Sequence, residues 1–286
     1  MGSTILVIGG QSLIGAAVRK RCEVEGVPVV ATSRRSSMVQ DGNIYLDLAE
    51  PSSFTNIPDR ITHAVLCASE ANLAVCRTER EATDRVNVEM TKLLIRELSE
   101  KGVHVTFLST NLVFDGRKPA CKEYCAVNPV EPYGTQKSQV EKYLCEIGPH
   151  AVCRLGKVVH QSLPILVEWQ EKLVSGGFVE PFTDYFMSPV SLRFVEEVLW
   201  KVLRIRKSGI VHASSYDKVS YAAFCYAWAI RAGFDHNKVR GVTSASKGVH
   251  FFHNPRYTSL ADSGALASLG LRQPSWMESV DTLTQG

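Results

Sequence analysis

Short, unbroken apolar runs alternate along the first half of the chain with stretches in which hydrophobic residues recur every three or four positions. Thr4-Ile5-Leu6-Val7-Ile8 is such a run, the pattern of a strand buried on both faces of a parallel sheet. A helix is predicted over residues 16–25 and a strand over 27–31. Short strands follow at 43–48 and 64–68. A long helix over about residues 80–101 carries Val86, Met90, Leu93, Leu94 and Leu98 at helical spacing. A fifth strand covers 103–110. A loop rich in turn residues (Asp115, Gly116, Pro119, Asn128, Pro129, Pro132) then leads to a helix through Gln139–Leu144. Residues 151–155 read as a sixth strand. Beyond them the rhythm loosens: residues 194–203 are apolar at helical spacing, 209–213 form a short strand, 221–232 a helix, and 254–286 a loop with short helices.

This alternation predicts an α/β fold, a Rossmann-type doubly wound parallel sheet with a smaller C-terminal substrate lobe. Residues 1–155 are expected to form the dinucleotide-binding domain, with a helix at about 190–206 packing back on it. Residues 156–286 are expected to form mainly the smaller lobe, closing over the ligand edge of the sheet. No repeat, low-complexity segment or flexible linker interrupts the chain.

Composition narrows the function. A hydrophobic content of 45%, a charged content of 21% and a formal charge of +3 are those of an ordinary globular protein, and argue against nucleic acid or an anionic membrane as partner. The longest apolar run, residues 221–230, is too short to span a bilayer. The chain passes from Met1 into a strand without a signal segment, so a cytoplasmic location is expected. Eight cysteines lie dispersed without a CxxC pair. Cys121 and Cys125 are the nearest two, and no histidine or third cysteine completes a zinc set, so no metal is expected and the thiols are expected reduced.

The candidate chemistry begins at the first strand–helix turn, Gly9-Gly10-Gln11-Ser12-Leu13-Ile14-Gly15. Gly9 permits the tight turn, Gly15 lets helix and strand pack closely, and free N–H groups at the helix start face an incoming pyrophosphate. Ser12 stands where a third glycine is expected and offers a hydroxyl and a backbone N–H. After the second strand comes Ser33-Arg34-Arg35, with no Asp or Glu between Val27 and Gln40. An acid there would bind the adenosine ribose, whereas arginine accommodates a 2′-phosphate, so NADPH is expected over NADH. Asp47, followed by Leu48, either meets an adenine edge or begins a turn. Cys67, Ala68 and Ser69 at the end of the fourth strand are small enough to let a cofactor lie close. Lone His104 reads as a strand residue, and Asn87 as a structural hydrogen-bonder.

Tyr133 and Lys137 stand four apart on a predicted helix and so share a face. The ammonium favours the phenolate, which is expected to bring the phenol below its reference pKa of about 10. Such a phenol can give a proton to a forming alkoxide. The hydroxyl of Thr110, at the end of the fifth strand, could hold the carbonyl oxygen.

Taken together these residues resemble the extended short-chain dehydrogenases/reductases, and among them the dTDP-4-dehydrorhamnose reductase (RmlD-like) branch. Ser109-Thr110-Asn111-Leu112-Val113-Phe114-Asp115-Gly116 is similar to that branch's S-T-D-Y-V-F-D-G, and Pro129 with Tyr133-Gly134 to Lys137 resembles its P-x-x-x-Y-G-x-x-K. The resemblance spans nearly the whole chain. It implies a reductase that transfers hydride from NADPH to the 4-keto group of a nucleotide-linked deoxysugar. Thr110 would orient the carbonyl, Tyr133 would donate the proton, and Lys137 would hold the nicotinamide ribose. Asn111 and Arg154 are expected at the substrate, and a homodimer is left open as the assembly. Asn111-Leu112 replaces the branch's Asp-Tyr, and Asn254 stands where it usually has arginine before proline. Leu112 cannot hydrogen-bond a sugar hydroxyl, so a 4-keto sugar other than the rhamnose precursor is expected. Two rivals remain. One is a nucleotide-sugar epimerase or dehydratase of the same fold, against which Arg34 and Arg35 speak. The other is a non-catalytic dinucleotide-binding regulatory subunit, like the β-subunit of methionine adenosyltransferase.

Overall fold

The computed structural model describes residues 3–39 and 42–285. In chain order its elements are β1 (Ile5–Ile8), α1 (Leu13–Val24), β2 (Val29–Ser33), β3 (Asn43–Tyr45), β4 (His63–Leu66), α2 (Leu73–Thr78), α3 (Arg80–Asp84), α4 (Thr91–Glu100), β5 (His104–Thr110), α5 (Pro132–Ile147) and β6 (Ala151–Leu155). There follow β7 (Lys157–Val159), α6 (Pro164–Val174), β8 (Phe186–Met187), β9 (Pro189–Ser191), α7 (Leu192–Ile205), β10 (Gly209–Ala213), β11 (Val219–Ser220), α8 (Tyr221–Arg231) and α9 (Trp276–Thr284). Seven strands form one parallel sheet in the order β10-β6-β5-β4-β1-β2-β3. Strand order reverses beside β1, which pairs with both β2 and β4. Ligands bind at such a switch point, outside the carboxyl ends of the strands.

The chain divides into two compact units. The first takes residues 1–113, 127–154 and 196–211, and the second takes 114–126, 155–195 and 212–286. The core of the first is built from the apolar runs of the strands. Leu6, Ile8, Leu66 and Phe107 pack with Leu94, Ile95 and Leu98 of α4 and with Val140 and Leu144 of α5. The second has its own core, in which Trp169 and Leu173 of α6 meet Phe224 and Trp228 of α8 and Val280 and Leu283 of α9. Residues 114–126, which the alternation placed with the sheet, belong to the second unit.

The long helix expected over residues 80–101 is not a uniform α-helix. Between α3 and α4 the segment Arg85–Met90 winds as a π-helix. Its wider turn is supported by the Thr91 hydroxyl, which donates to the Val86 carbonyl five residues back at 2.9 Å. Periodicity cannot distinguish the two windings over six residues; such π segments are frequent at functional sites.

Three imidazoles line up at the amino ends of the strands. His63 and His104 open β4 and β5, His150 precedes β6, and successive ring centroids are 6.0 Å apart. The Arg206 guanidinium donates to His63 Nε2 at 3.0 Å and the Val105 N–H to His150 Nδ1 at 3.2 Å, so both rings are held neutral. Burial, and then the neighbouring charges, push His63 and His104 down to about 4. The unfolded chain binds these protons near pH 6.5, so unfolding takes up protons between the two values. Their contribution is therefore fully present above pH 6.5 and is lost as pH falls toward 4, at roughly 2–3 kcal/mol per imidazole. Urea melts at pH 7.5 and 4.5 test this: the midpoint should drop, and His104→Leu should flatten the drop. An unchanged slope in that variant removes His104 from the account.

Candidate functional site

The turn after β1 is shaped by contacts that only glycine allows. Gly9 has φ +83°, and a Cβ there would lie 2.8 Å from the Ala68 nitrogen. A Cβ on Gly10 would meet the Ala31 side chain at 2.6 Å, and one on Gly15 the Gly9 carbonyl oxygen at 2.3 Å. Ser12 caps α1: its hydroxyl accepts the Gly15 N–H at 3.1 Å, and its own N–H is bonded to the Gly9 carbonyl at 2.9 Å. The expectation that the Ser12 N–H is available to a ligand is therefore corrected. The cap turns that donor inward. The first-turn N–H groups of α1, those of Leu13 and Ile14, have no intrahelical partner by geometry.

A cleft of about 550 Å³ opens over this turn, wholly within the first unit. The sequence-predicted residues Gly9, Gln11, Ser12, Ser33, Arg34, Arg35, Asp47, Leu48, Cys67, Ala68 and Ser69 all line it. Leu13, Ile14, Gly15 and Lys137 do not. Ser33 is buried, and its hydroxyl accepts the Arg35 N–H at 3.0 Å, which fixes the loop that exposes both arginines. Asp47 takes the Ala49 N–H at 2.9 Å and so does begin a turn. The wall that sequence reasoning missed comes from Glu70 and from α2, α3 and the π segment, with Val75, Glu79, Ala82, Thr83 and Val86. No local motif marks these residues, since their position depends on how the helices pack.

Beneath that wall Asn87 is fully structural. Its side chain accepts the Glu70 N–H and donates to the Glu70 carbonyl, each at 2.9 Å, and donates to Gln136 at 2.8 Å. Gln136 in turn donates to Thr83 at 2.9 Å and Asp84 at 2.8 Å. This buried chain of amides ties the π segment to α5. Pro132 opens α5, where its missing N–H costs nothing. Gly134 lets the first turn of α5 approach Leu112 so closely that a Cβ would lie 2.1 Å from its carbonyl oxygen. Tyr133 is thereby brought to the segment just after Thr110.

Lys137 is 3% exposed, and its ammonium donates to the Leu108 carbonyl of β5 at 2.9 Å. It lies 4.6 Å from the Phe107 ring centroid and 5.4 Å from that of Tyr133. Burial pulls it down to about 8, against the neighbouring Cys67 and Glu141. The Tyr133 phenol moves opposite to expectation. Burial pushes it up to about 12, Cys76 and Glu70 add to the rise, and a hydrogen bond with Ser69 only partly offsets it. Spacing places the ammonium on the same helical face but cannot reveal that both groups are desolvated, which disfavours the charged form of each. Tyr133 is thus a protonated phenol over the whole neutral range. The Thr110 hydroxyl accepts the Leu112 N–H at 3.2 Å and makes a long contact, 3.5 Å, to the Asn111 side-chain oxygen.

Arg154 is not placed for substrate. It is 2% exposed on β6, and its guanidinium forms a two-pronged pair with Glu141, at 2.7 Å between Nη2 and Oε2 and 3.1 Å between Nε and Oε1. Glu141 lies one turn beyond Lys137 on α5 and also accepts a hydrogen bond from Ser109. The charge in β6 thus anchors α5 to the tip of β5. Among the described residues no group of three or more His, Cys, Asp or Glu side chains converges to hold a metal ion, and no helix is long and apolar enough to cross a membrane.

A glycine turn at the switch point, an arginine pair after β2 and a Tyr-x-x-x-Lys helix beside the tip of β5 define a Rossmann-type protein of the extended short-chain dehydrogenase/reductase class. Within that class the chain belongs to the RmlD family: residues 3–286 match the family described as the RmlD substrate binding domain. It is 26% identical over 243 residues to the dTDP-4-dehydrorhamnose reductase of Sinorhizobium fredii, covering 77% of this chain and 79% of that protein. It is 28% identical over 170 residues to methionine adenosyltransferase 2 subunit beta of Pongo abelii, covering 59% of this chain. The chain spans about half the length of these methionine adenosyltransferase subunits, 48% in that case. The fold matches that of the dTDP-4-dehydrorhamnose reductase of Bacillus anthracis in complex with NADP, with a TM-score of 0.86, 18% identity and 99% of each chain covered. It also matches UDP-glucose 4-epimerase of Thermotoga maritima with UDP-glucose, at a TM-score of 0.83 and 18% identity, covering 99% of this chain and 97% of that one.

Proposed function

We propose that this protein is an NADPH-dependent reductase of the 4-keto group of a nucleotide-linked deoxysugar. The observation that carries the reading is the half-buried Tyr133 beside the buried Lys137, held against β5 next to a cleft whose rim bears Arg34 and Arg35. The Gly9 turn, the N–H groups at the start of α1 and Ser33–Arg35 would hold the dinucleotide, and a Cβ at Gly9 would clash with the Ala68 backbone that shapes this cradle. When bound, NADPH supplies the hydride. The chain's own part is to place the carbonyl and move one proton. Thr110 orients the carbonyl oxygen, and Tyr133, protonated at neutral pH, donates to that oxygen as it gains charge. Lys137 keeps a positive charge beneath the forming alkoxide and holds the ribose. Leu112, where the family usually has tyrosine, favours a sugar other than the rhamnose precursor.

The direct test is to incubate the protein with NADPH and a panel of nucleotide 4-keto sugars while following absorbance of the reduced nicotinamide. Turnover with at least one supports the reading. Tight NADPH binding without turnover on any of them favours a non-catalytic subunit, the alternative raised by the likeness to methionine adenosyltransferase subunits. NADPH is expected to bind at least tenfold more tightly than NADH, about 1.4 kcal/mol, and Arg34→Ala with Arg35→Ala should erase most of that gap. Equal affinities in the unaltered protein overturn the assignment of the arginines.

Turnover should also fall at alkaline pH. Lys137 loses its proton near pH 8 in the folded chain, so the charge beneath the alkoxide is present below that value and absent above it. A rate profile that stays flat to pH 10 removes Lys137 from this role.

A further inference from the structure

The loop Phe114–Ala126 belongs to the second unit and carries two thiols that the proposed reduction does not use. Cys125 closes a turn, its N–H donating to the Lys122 carbonyl at 3.0 Å, while the Lys122 N–H donates back to the Cys125 sulfur at 3.2 Å. Cys121 immediately precedes that turn. Its thiol donates to the Lys118 carbonyl at 3.7 Å and lies within hydrogen-bonding reach of Cys125. Both cysteines are free and half-buried. The turn is held from both sides by the segment after Leu260: the Ala261 N–H donates to the Cys121 carbonyl at 2.9 Å, and the Ser263 N–H donates to Glu123 at 3.1 Å. The two sulfurs therefore lie within reach of one another on a turn that is held from both sides.

The geometry points to Cys121 and Cys125 as a redox-active dithiol that a peroxide oxidises to an intraloop disulfide. The Cys125 sulfur, held in place by the Lys122 N–H, is the attacking group. Its thiolate attacks one peroxide oxygen; an S–O bond forms, the O–O bond breaks, and the leaving hydroxide takes up a proton as water. The Cys121 sulfur then attacks the Cys125 sulfenic acid. An S–S bond forms, the S–O bond breaks, and a second water leaves with the Cys121 proton. Two thiols are oxidised and one peroxide is reduced to two waters. Burial and the adjacent Cys125 hold Cys121 above its ordinary value, which suits a resolving thiol that keeps its proton until the second step.

The full chain is treated with hydrogen peroxide, alkylated without reduction and digested with trypsin. Cleavage after Lys122 puts the two cysteines on separate peptides. A linked pair that dithiothreitol separates is expected, forming roughly tenfold faster than exposed Cys145 is modified. Cys121→Ser should instead leave a dimedone-reactive sulfenic acid at Cys125, and Cys125→Ser should leave neither product. Alkylation of both thiols after peroxide as in the untreated protein overturns the proposal. So does modification of Cys145 first, or equal sulfenic acid at Cys121 in Cys125→Ser. The wild-type peptide map decides the question even where a variant does not fold.

Discussion

Tyr133→Phe is expected to lower turnover by roughly 10²–10⁴-fold, the range a positioned general acid contributes, while NADPH affinity stays within a factor of about two. The change removes one hydroxyl and keeps the ring that sits 5.4 Å from the Lys137 ammonium. Tyr133 is not itself among the residues lining the cleft over the Gly9 turn, and the change costs that cleft only the hydrogen bond to Ser69. Steady-state rates with the best sugar of the panel, together with a fluorescence titration of NADPH, separate the two effects. Undiminished turnover in this variant removes Tyr133 as the donor. A loss of cofactor binding equal to the loss of rate shows instead that the phenol supports the fold of the cleft.

Arg154→Leu should destabilise the first unit by about 3–5 kcal/mol, since it leaves the Glu141 carboxylate buried without its partner. That carboxylate is 4% exposed with its residue, and only the Ser109 hydroxyl remains among the partners described above. The double variant Arg154→Leu with Glu141→Leu should recover much of the loss, because a buried pair and a well-packed apolar pair are often close in stability. Urea unfolding of the three proteins gives the coupling directly. A single variant within about 0.5 kcal/mol of the parent removes the pair with Glu141 as the reason for Arg154 and reopens the substrate role that the family resemblance implied.

Much of the first unit was legible before any coordinates. Short runs rich in apolar residues marked β1, β4, β5 and β6, because a strand covered on both faces shows little polar alternation. The Gly9 turn, Ser33–Arg35 and the small residues after β4 all line one cleft, because each sits at the carboxyl end of a strand and parallel strands bring those ends together. The helical wall of the same cleft carried no such mark. Glu79, Ala82 and Thr83 face it only because Asn87 and Gln136 pin the π segment to α5. Gly10, absent from the expected set, proved as constrained as Gly9, since its partner Ala31 is twenty-one positions away in the chain.

What the sequence determined by itself is whatever depends on neighbours a few positions away: the alternation of strand and helix, the glycine turn, the four-residue step from Tyr133 to Lys137. The tertiary structure alone decided the quantities set by distant groups. It raised the Tyr133 phenol to about 12 where spacing alone implied a fall, took Arg154 from substrate to Glu141, and assigned residues 114–126 to the second unit. Hydrogen-bonded spacing is a local property of the backbone, whereas desolvation and ion pairing depend on the packing of segments remote in sequence, and only the folded chain brings those together.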